Sequence, residues 1–265
     1  MLLSIRHTSR YQYDGPILYA VQRLRLRPQS VAGQTVRSWD IAIDGAAAEL
    51  SYTDGFGNRT ELVRHIKDAQ EIVITASGQV ETEDRAGVFG SVHGFAPVWL
   101  FERTTPLTEA GEGVRALAAT LPTDAKRLAQ LHQLMDTIFD RLTFTTGATS
   151  IFTSAEDALA KGEGVCQDYA HIFIAAARSL QIPARYVSGY LMRKDGGEQT
   201  AGHAWAEAHV EGLGWVGFDP ANNMCPNDCY VRIGCGLDYR GAAPVSGVRI
   251  GPAAETLAVE VNVEQ

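Results

Sequence analysis

Three residues in the second half of this sequence could together carry out nucleophilic chemistry. Cys166 follows Gly162-Glu163-Gly164-Val165 and opens a run that is apolar from residue 169 to 180, broken only by His171, Arg178 and Ser179. A thiol in the first turn of a helix faces unpaired N–H groups and the positive end of the backbone dipole. That setting favours the thiolate, which is the nucleophilic form. His203 starts the alternating stretch His203-Ala204-Trp205-Ala206-Glu207-Ala208-His209-Val210, and Asp219 ends Gly214-Trp215-Val216-Gly217-Phe218-Asp219 ahead of Pro220. A cysteine, a histidine and an aspartate supply a nucleophile, a general base and a carboxylate that fixes the imidazole tautomer. Each also has a plain alternative: a buried small side chain for Cys166, a satisfied strand histidine for His203, and a turn residue for Asp219.

The elements that must position these residues can be read from periodicity. A helix apolar on nearly every side is a buried one, so the segment from Cys166 to Leu180 is expected inside the core, stopped by Gln181-Ile182-Pro183. Strands are expected over 185–192, 203–210 and 215–218. Helical periodicity covers 107–121 and 124–142, with Leu128, Leu131, Leu134, Met135 and Ile138 on one face and Pro122 between the two. A short helix is expected over 154–161, with Glu156 and Asp157 in its first turn and Gly162 past its end. Earlier in the chain, alternating segments at 20–28, 39–45 and 71–81 and a glycine-marked turn at 54–59 spell short antiparallel strands. The aromatic run 95–101 is expected to be core where two parts meet. Residues 256–263 alternate as one more strand.

The fold class is therefore α+β. An N-terminal antiparallel β-sandwich-like domain is expected over residues 1–104. Residues 105–265 form a core of helices packed on an antiparallel sheet, with the C-terminal strands included in it. If Gly212-Leu213-Gly214 makes the tight turn, Asp219 falls opposite Ala206 or Glu207. His203 is then ~10–13 Å away along the strand at ~3.3 Å per residue, so a bulge, strong twist or shifted register is expected in this hairpin.

The blocks Gly164-Val165-Cys166-Gln167-Asp168-Tyr169-Ala170-His171, His203-Ala204-Trp205-Ala206-Glu207 and Gly214-Trp215-Val216-Gly217-Phe218-Asp219-Pro220 resemble the bacterial transglutaminase-like proteins, whose core is that of the papain-type cysteine enzymes. Ile182-Pro183-Ala184-Arg185-Tyr186-Val187-Ser188-Gly189-Tyr190 between them is similar too, and the N-terminal β region resembles the domain that precedes the core in bacterial members. The resemblance implies Cys166 as the nucleophile, His203 as general base and acid, and Asp219 as the residue orienting His203. It implies acyl transfer from an amide or ester carbonyl through a thioester. Water as acceptor makes a peptidase or amidase acting on a peptide or protein; an amine makes a transglutaminase. Hydrolysis is the expected activity, with transamidation and a non-catalytic binding protein on the same scaffold as alternatives. The Cys166 N–H is a candidate oxyanion donor.

Composition narrows the field. Lys+Arg 23 against Asp+Glu 31 gives a net charge of -8, which argues against nucleic acid or an anionic membrane as the main partner. No apolar stretch approaches the ~18 residues of a membrane span. Four cysteines in 265 residues, and a start that lacks the pattern of a secretory leader, suggest a reducing, cytoplasmic setting. Cys225, Cys229 and Cys235 are spaced C-x3-C-x5-C, without the paired knuckles of most zinc sites. No carboxylate-rich calcium loop is evident. Neither a metal nor another cofactor is expected. Glu207 and His209 are expected to be ordinary face partners of His203 on its strand.

Overall fold

The computed structural model describes residues 1–265 apart from 16, 67–68, 92–93, 123 and 194–201. Six strands come first: β1 (Leu2–Tyr13), β2 (Tyr19–Arg27), β3 (Gln34–Asp44), β4 (Ala46–Thr53), β5 (Arg59–His65) and β6 (Glu71–Thr82). After β7 (Val88–Gly90) and a 3-10 turn (Val98–Glu102) the helices begin, α1 (Glu112–Ala119) and α2 (Arg127–Arg141). Then follow β8 (Thr143–Phe144), α3 (Ala155–Lys161), β9 (Glu163–Gly164) and α4 (Cys166–Ser179). The chain continues through β10 (Ala184–Leu191), β11 (His203–Val210), β12 (Gly214–Phe218), β13 (Tyr230–Gly236), α5 (Tyr239–Ala242), β14 (Val245–Ile250) and β15 (Glu255–Glu264).

Among the described residues the strands form an antiparallel core sheet, β13-β10-β11-β12-β7, two four-stranded sheets, β15-β1-β6-β3 and β14-β2-β5-β4, and the short parallel pair β8-β9. The two four-stranded sheets make the sandwich. In β1 every second residue is buried, from Leu3 through Ile5, His7, Ser9 and Tyr11 to Tyr13, the period of a strand with one covered face. That face does not meet a single partner. Leu3 and Ile5 pack with Tyr190, Val231 and Ile233 of the core sheet, whereas Tyr11 and Tyr13 pack with Ala20, Leu24, Leu26 and Val63 of the sandwich. One long sheet thus covers two others, and His7 and Ser9 sit between the two contacts.

On the other side of the core sheet lies α4, buried from Asp168 to Arg178. Its small residues Ala170, Ala175, Ala176 and Ala177 share a core with Ala204, Ala206 and Ala208, the alternate residues of β11. Alanine on both sides lets helix and sheet approach closely, and α1, α2 and α3 close over the helix with Val114, Leu117, Leu131, Leu134, Ile138, Ala155 and Ala158. Full burial of Ile172, Phe173 and Ile174 contributes about 1.5–3 kcal/mol each. Arg178 fastens the far end of the helix. Its buried guanidinium donates to the carbonyls of Phe101, Ala184 and Leu237 and to Thr108 Oγ1 at 2.7–3.2 Å.

Several expectations change. The strands β14 and β15 do not join the core but complete the N-terminal sheets, beside β2 and β1, while β7 joins the core sheet beside β12. Strand pairing therefore does not divide at residue 104. The first helix is shorter than its apolar pattern because Thr105 and Thr108 close a hydroxyl-bonded turn, and the Glu156 carboxylate of α3 accepts from the N–H groups of Gly113 and Val114. The run 95–101 is not core throughout. Phe101 is buried, but Trp99 stands in solvent because the 3-10 turn presents one side only, and Phe95, ahead of the turn, is exposed too. The strand β13 was not expected at all: buried along its length, it lacks the polar–apolar alternation that reveals a half-covered strand.

Candidate active site

The site begins with a backbone arrangement written into Gly164-Val165-Cys166-Gln167-Asp168. Val165 is extended and Cys166 is the first residue of α4. Asp168, one turn on, reaches back so that its Oδ2 accepts from Val165 N–H at 2.8 Å and from Thr149 Oγ1 at 2.6 Å. A Cβ on Gly164 would stand 2.6 Å from that oxygen, so only glycine leaves room for this cap. Burial raises the Asp168 carboxyl above its ordinary value, against the hydrogen bonds that hold it down. Cys166 is left half-buried at the positive end of the helix, where the first N–H groups have no helical acceptor.

The hairpin of β11 and β12 brings up the other two residues, but not as expected. Its ladder runs from Val210↔Gly214 to Ala206↔Phe218 without a shift. The turn holds three residues, Glu211, Gly212 and Leu213, and Gly212 and Gly214 take the left-handed conformation it needs, with φ of 79° and 77°. This register sets Asp219 against Trp205, with His203 two residues further on the same face. That is a diagonal neighbour at about 7–8 Å between backbones, within reach of paired side chains. No bulge is required, and the contact forms at His203 Nε2 to Asp219 Oδ2, 2.6 Å.

Asp219 is fully buried and heavily bonded. Besides His203, its Oδ2 accepts from Asn222 Nδ2 at 2.7 Å and Tyr230 O–H at 2.8 Å. Its Oδ1 accepts from the backbone N–H groups of Ala221 at 3.1 Å and Asn222 at 3.3 Å. Burial would raise its pKa, but the charge of His203 and the bonds from His203, Asn222 and Tyr230 outweigh burial and hold the carboxyl below the usual range. The imidazole lies between rings, stacked on Trp205 at 6.3 Å and edge-on to Tyr230 at 5.8 Å. Burial alone would lower His203. The Asp219 carboxylate, and after it the hydrogen bond and charge of Cys166, prevail and push the histidine from 6.5 up to about 10. With Nε2 taken by Asp219, Nδ1 is the nitrogen left for the thiol.

The three residues named from sequence are thus brought to one place. Cys166 and His203, with Gln167, Tyr186, Asn222 and Tyr230, line a cleft of about 1210 Å³. Asn222 and Tyr230 are the site residues that sequence reasoning misses. Asn222 had a faint signal in the polar turn three residues after Asp219; Tyr230 had none, lying on the unforeseen β13. Glu207 shares the strand face of His203 but is no ordinary face partner. It is fully buried, with Oε2 accepting from Arg185 Nε at 2.6 Å and Oε1 from Arg232 Nε at 3.1 Å, which ties β10, β11 and β13 together. His209 packs edge-on against Trp215, 5.5 Å away. Among the described residues no group of three His, Cys, Asp or Glu side chains is placed to hold a metal. Cys235 is a buried free thiol inside β13 and Cys225 a half-buried one pushed up to about 11 by burial. Among the described residues no helix is long and apolar enough to cross a membrane.

Comparison with known proteins agrees with this fold. Residues 115–220 match the model of the transglutaminase-like superfamily, and residues 3–81 that of the bacterial transglutaminase-like N-terminal region. An uncharacterized protein of Mycobacterium leprae is 29% identical over 98% of this chain and 98% of its own. One from Mycobacterium tuberculosis H37Rv is 28% identical over 98% and 91%. The crystal structure of a "Putative Cysteine Protease from Cytophaga hutchinsonii" superposes with a TM-score of 0.79 at 21% identity, covering 100% of this chain and 91% of that one, and so shares the fold. With both halves matched in order and the fold shared end to end, the chain belongs to the bacterial transglutaminase-like proteins, a transglutaminase-like core behind their N-terminal region.

Proposed function

We propose that this protein is a cysteine acyl-transfer enzyme that hydrolyses amide bonds in peptides or proteins. The observation that carries the reading is the His203–Asp219 pair, held by a buried carboxylate with five hydrogen-bond donors and coupled to a half-buried thiol in an open cleft. In the reaction Cys166 Sγ attacks the carbonyl carbon, and the oxygen takes up negative charge beside the Cys166 N–H. The His203 imidazolium gives its proton to the leaving nitrogen, the C–N bond breaks and a thioester remains. Neutral His203 then takes a proton from water, whose oxygen attacks the thioester. The C–S bond breaks, the acid leaves, and thiolate and imidazolium are restored. Asp219 stays ionised throughout and keeps the ring oriented.

Water is favoured over an amine as acceptor because the cleft's described lining residues include no carboxylate to receive a lysine ammonium. The free thiols Cys225 and Cys235 suit a reducing compartment, and on that ground we place the enzyme in the cytoplasm. The test is the rate of Cys166 alkylation by iodoacetamide from pH 4 to 10 in wild type and His203→Ala, with Cys166→Ser as the blank. The reading expects fast alkylation well below ~8.5, the value of a free thiol, lost in His203→Ala. A thiol that is inert, or that titrates alike in both proteins, overturns it.

A further inference from the structure

The cleft has a second wall that the chemistry at Cys166 does not use, and it is built by the N-terminal sheet. His7, Ser9 and Tyr11 of β1 face it, and their cross-strand partners on β15 are Val261, Val259 and Leu257. The inner end of this wall is closed: His7 is buried, bonded at 3.0 Å through Nδ1 to Tyr190 O–H and through Nε2 to Ser9 Oγ. Burial pushes this histidine down to about 4, so it carries no charge there at neutral pH. The outer end is open. Leu257 is 50% and Val259 37% exposed, and Val245 at the start of β14 turns to the same cleft.

Aliphatic side chains in water at the rim of a reactive cleft mark a surface that something apolar covers. Three features say what. The cleft, at about 1210 Å³, exceeds the roughly 300–1,000 Å³ that a small-molecule site needs, and it runs from the start of α4 to the sandwich. Leu257 and Val259 lie two residues apart on one face, the spacing at which an extended chain presents alternate side chains. Among the described residues the outer edge of β15 has no neighbour in its sheet, so a strand-like ligand could also bond to its backbone. Among the described lining residues only Arg193 and His203 are cationic and none is acidic.

We propose that the β1–β15 wall is a recognition surface for an extended polypeptide, which lays apolar side chains against Leu257, Val259 and Val245 while presenting its reactive carbonyl to Cys166. This deepens the acyl-transfer reading and rests on it. The N-terminal sheets are then half of the substrate site.

The test uses two peptidyl chloromethyl ketones of equal length, one with leucine and one with aspartate at alternate positions, whose chloride the Cys166 thiolate displaces. Rates are divided by the iodoacetamide rate of the same protein. Wild type is expected to prefer the leucine probe by about tenfold or more. Leu257→Asp/Val259→Asp, both at exposed positions, is expected to lose that preference with its iodoacetamide rate unchanged, and the milder Leu257→Ala to lose part of it. Equal rates for the two probes in wild type, an unchanged preference in the variants, or a single-residue leucine probe as fast as the peptide each overturn the recognition surface. Those results leave the acyl-transfer reading intact, which only a Cys166 inert to iodoacetamide would remove, and the wall proposal with it.

Discussion

Asp219 accepts more hydrogen bonds than orienting one ring requires. The backbone N–H groups of Ala221 and Asn222, the Asn222 amide and the Tyr230 hydroxyl hold the carboxylate whether or not His203 is charged. Its charge is what lifts His203. Asp219→Asn keeps the shape and removes that charge, and kcat on an amide substrate is expected to fall by about 10²–10⁴, with KM changing little. A pH profile separates this from misfolding. His203 must be protonated to expel the amine, so kcat/KM in wild type is expected to decline as pH rises through about 10, and in Asp219→Asn at a lower pH. The same pair contributes to stability. A histidine raised from 6.5 to about 10 on folding stabilises fully below 6.5, and that contribution drains away as pH climbs toward 10. Asp219, depressed from 3.8, contributes above that value and loses its part as pH falls through the depressed pKa. Thermal melts of wild type should therefore lose stability between pH 6.5 and 10, and His203→Ala should lose less. Cys166, His203 and Asp219 are legible in the sequence because each is flagged locally, by glycines, by alternation and by a proline. Tyr230 is not, since only the folded sheet brings it to the carboxylate.

At the scale of elements, the helix and the hairpin do the positioning. The buried α4 and the strands β10, β11 and β12 are legible because apolar composition and period set them. The register between β11 and β12 is not, because it depends on where the turn falls: at Glu211-Gly212-Leu213, one residue earlier than the expected Gly212-Leu213-Gly214, it puts Asp219 against Trp205. The exact opposition also depends on Gly189, the cross-strand partner of His203, where β10 shifts register against β13. A Cβ there would stand 2.5 Å from the Trp205 ring and against the Val231 carbonyl. Gly189→Ala is expected to displace the indole on which His203 stacks, to cost about 1–3 kcal/mol in chemical denaturation, and to slow acyl transfer as well. A variant as stable and active as wild type would mean the indole has room to move. Glu207→Gln tests the ion triple across β10, β11 and β13. Two buried guanidinium groups without their carboxylate should cost about 3–5 kcal/mol, read as a shifted denaturation midpoint with unchanged slope.

For the molecule as a whole, one sheet of the sandwich, β15-β1-β6-β3, also packs on the core sheet. Leu3, Ile5 and Val80 of that sheet bury themselves against Tyr190, Val231 and Ile233 of the core. An interface this apolar should couple the two halves, so near-UV circular dichroism and the exposure of Cys166 to alkylation are expected to change in a single thermal transition; two well-separated transitions would refute this. Alternation announces a covered face but not what covers it, which is why the joining of the two halves stays hidden in the sequence: the strands at 20–28, 39–45 and 71–81 are expected, while β1, which makes the joint, is not among them. The pairing Ser4↔Glu264 through Tyr13↔Glu255 carries a further consequence. During synthesis β1 leaves the ribosome long before β15 exists, so the sandwich stays open along that edge until the core has been made. Through most of translation β1 has β6 on one side and an open edge on the other. Such edges invite pairing with a neighbouring nascent chain, and the demand for a chaperone should fall on the β1 segment rather than on the buried helix α4.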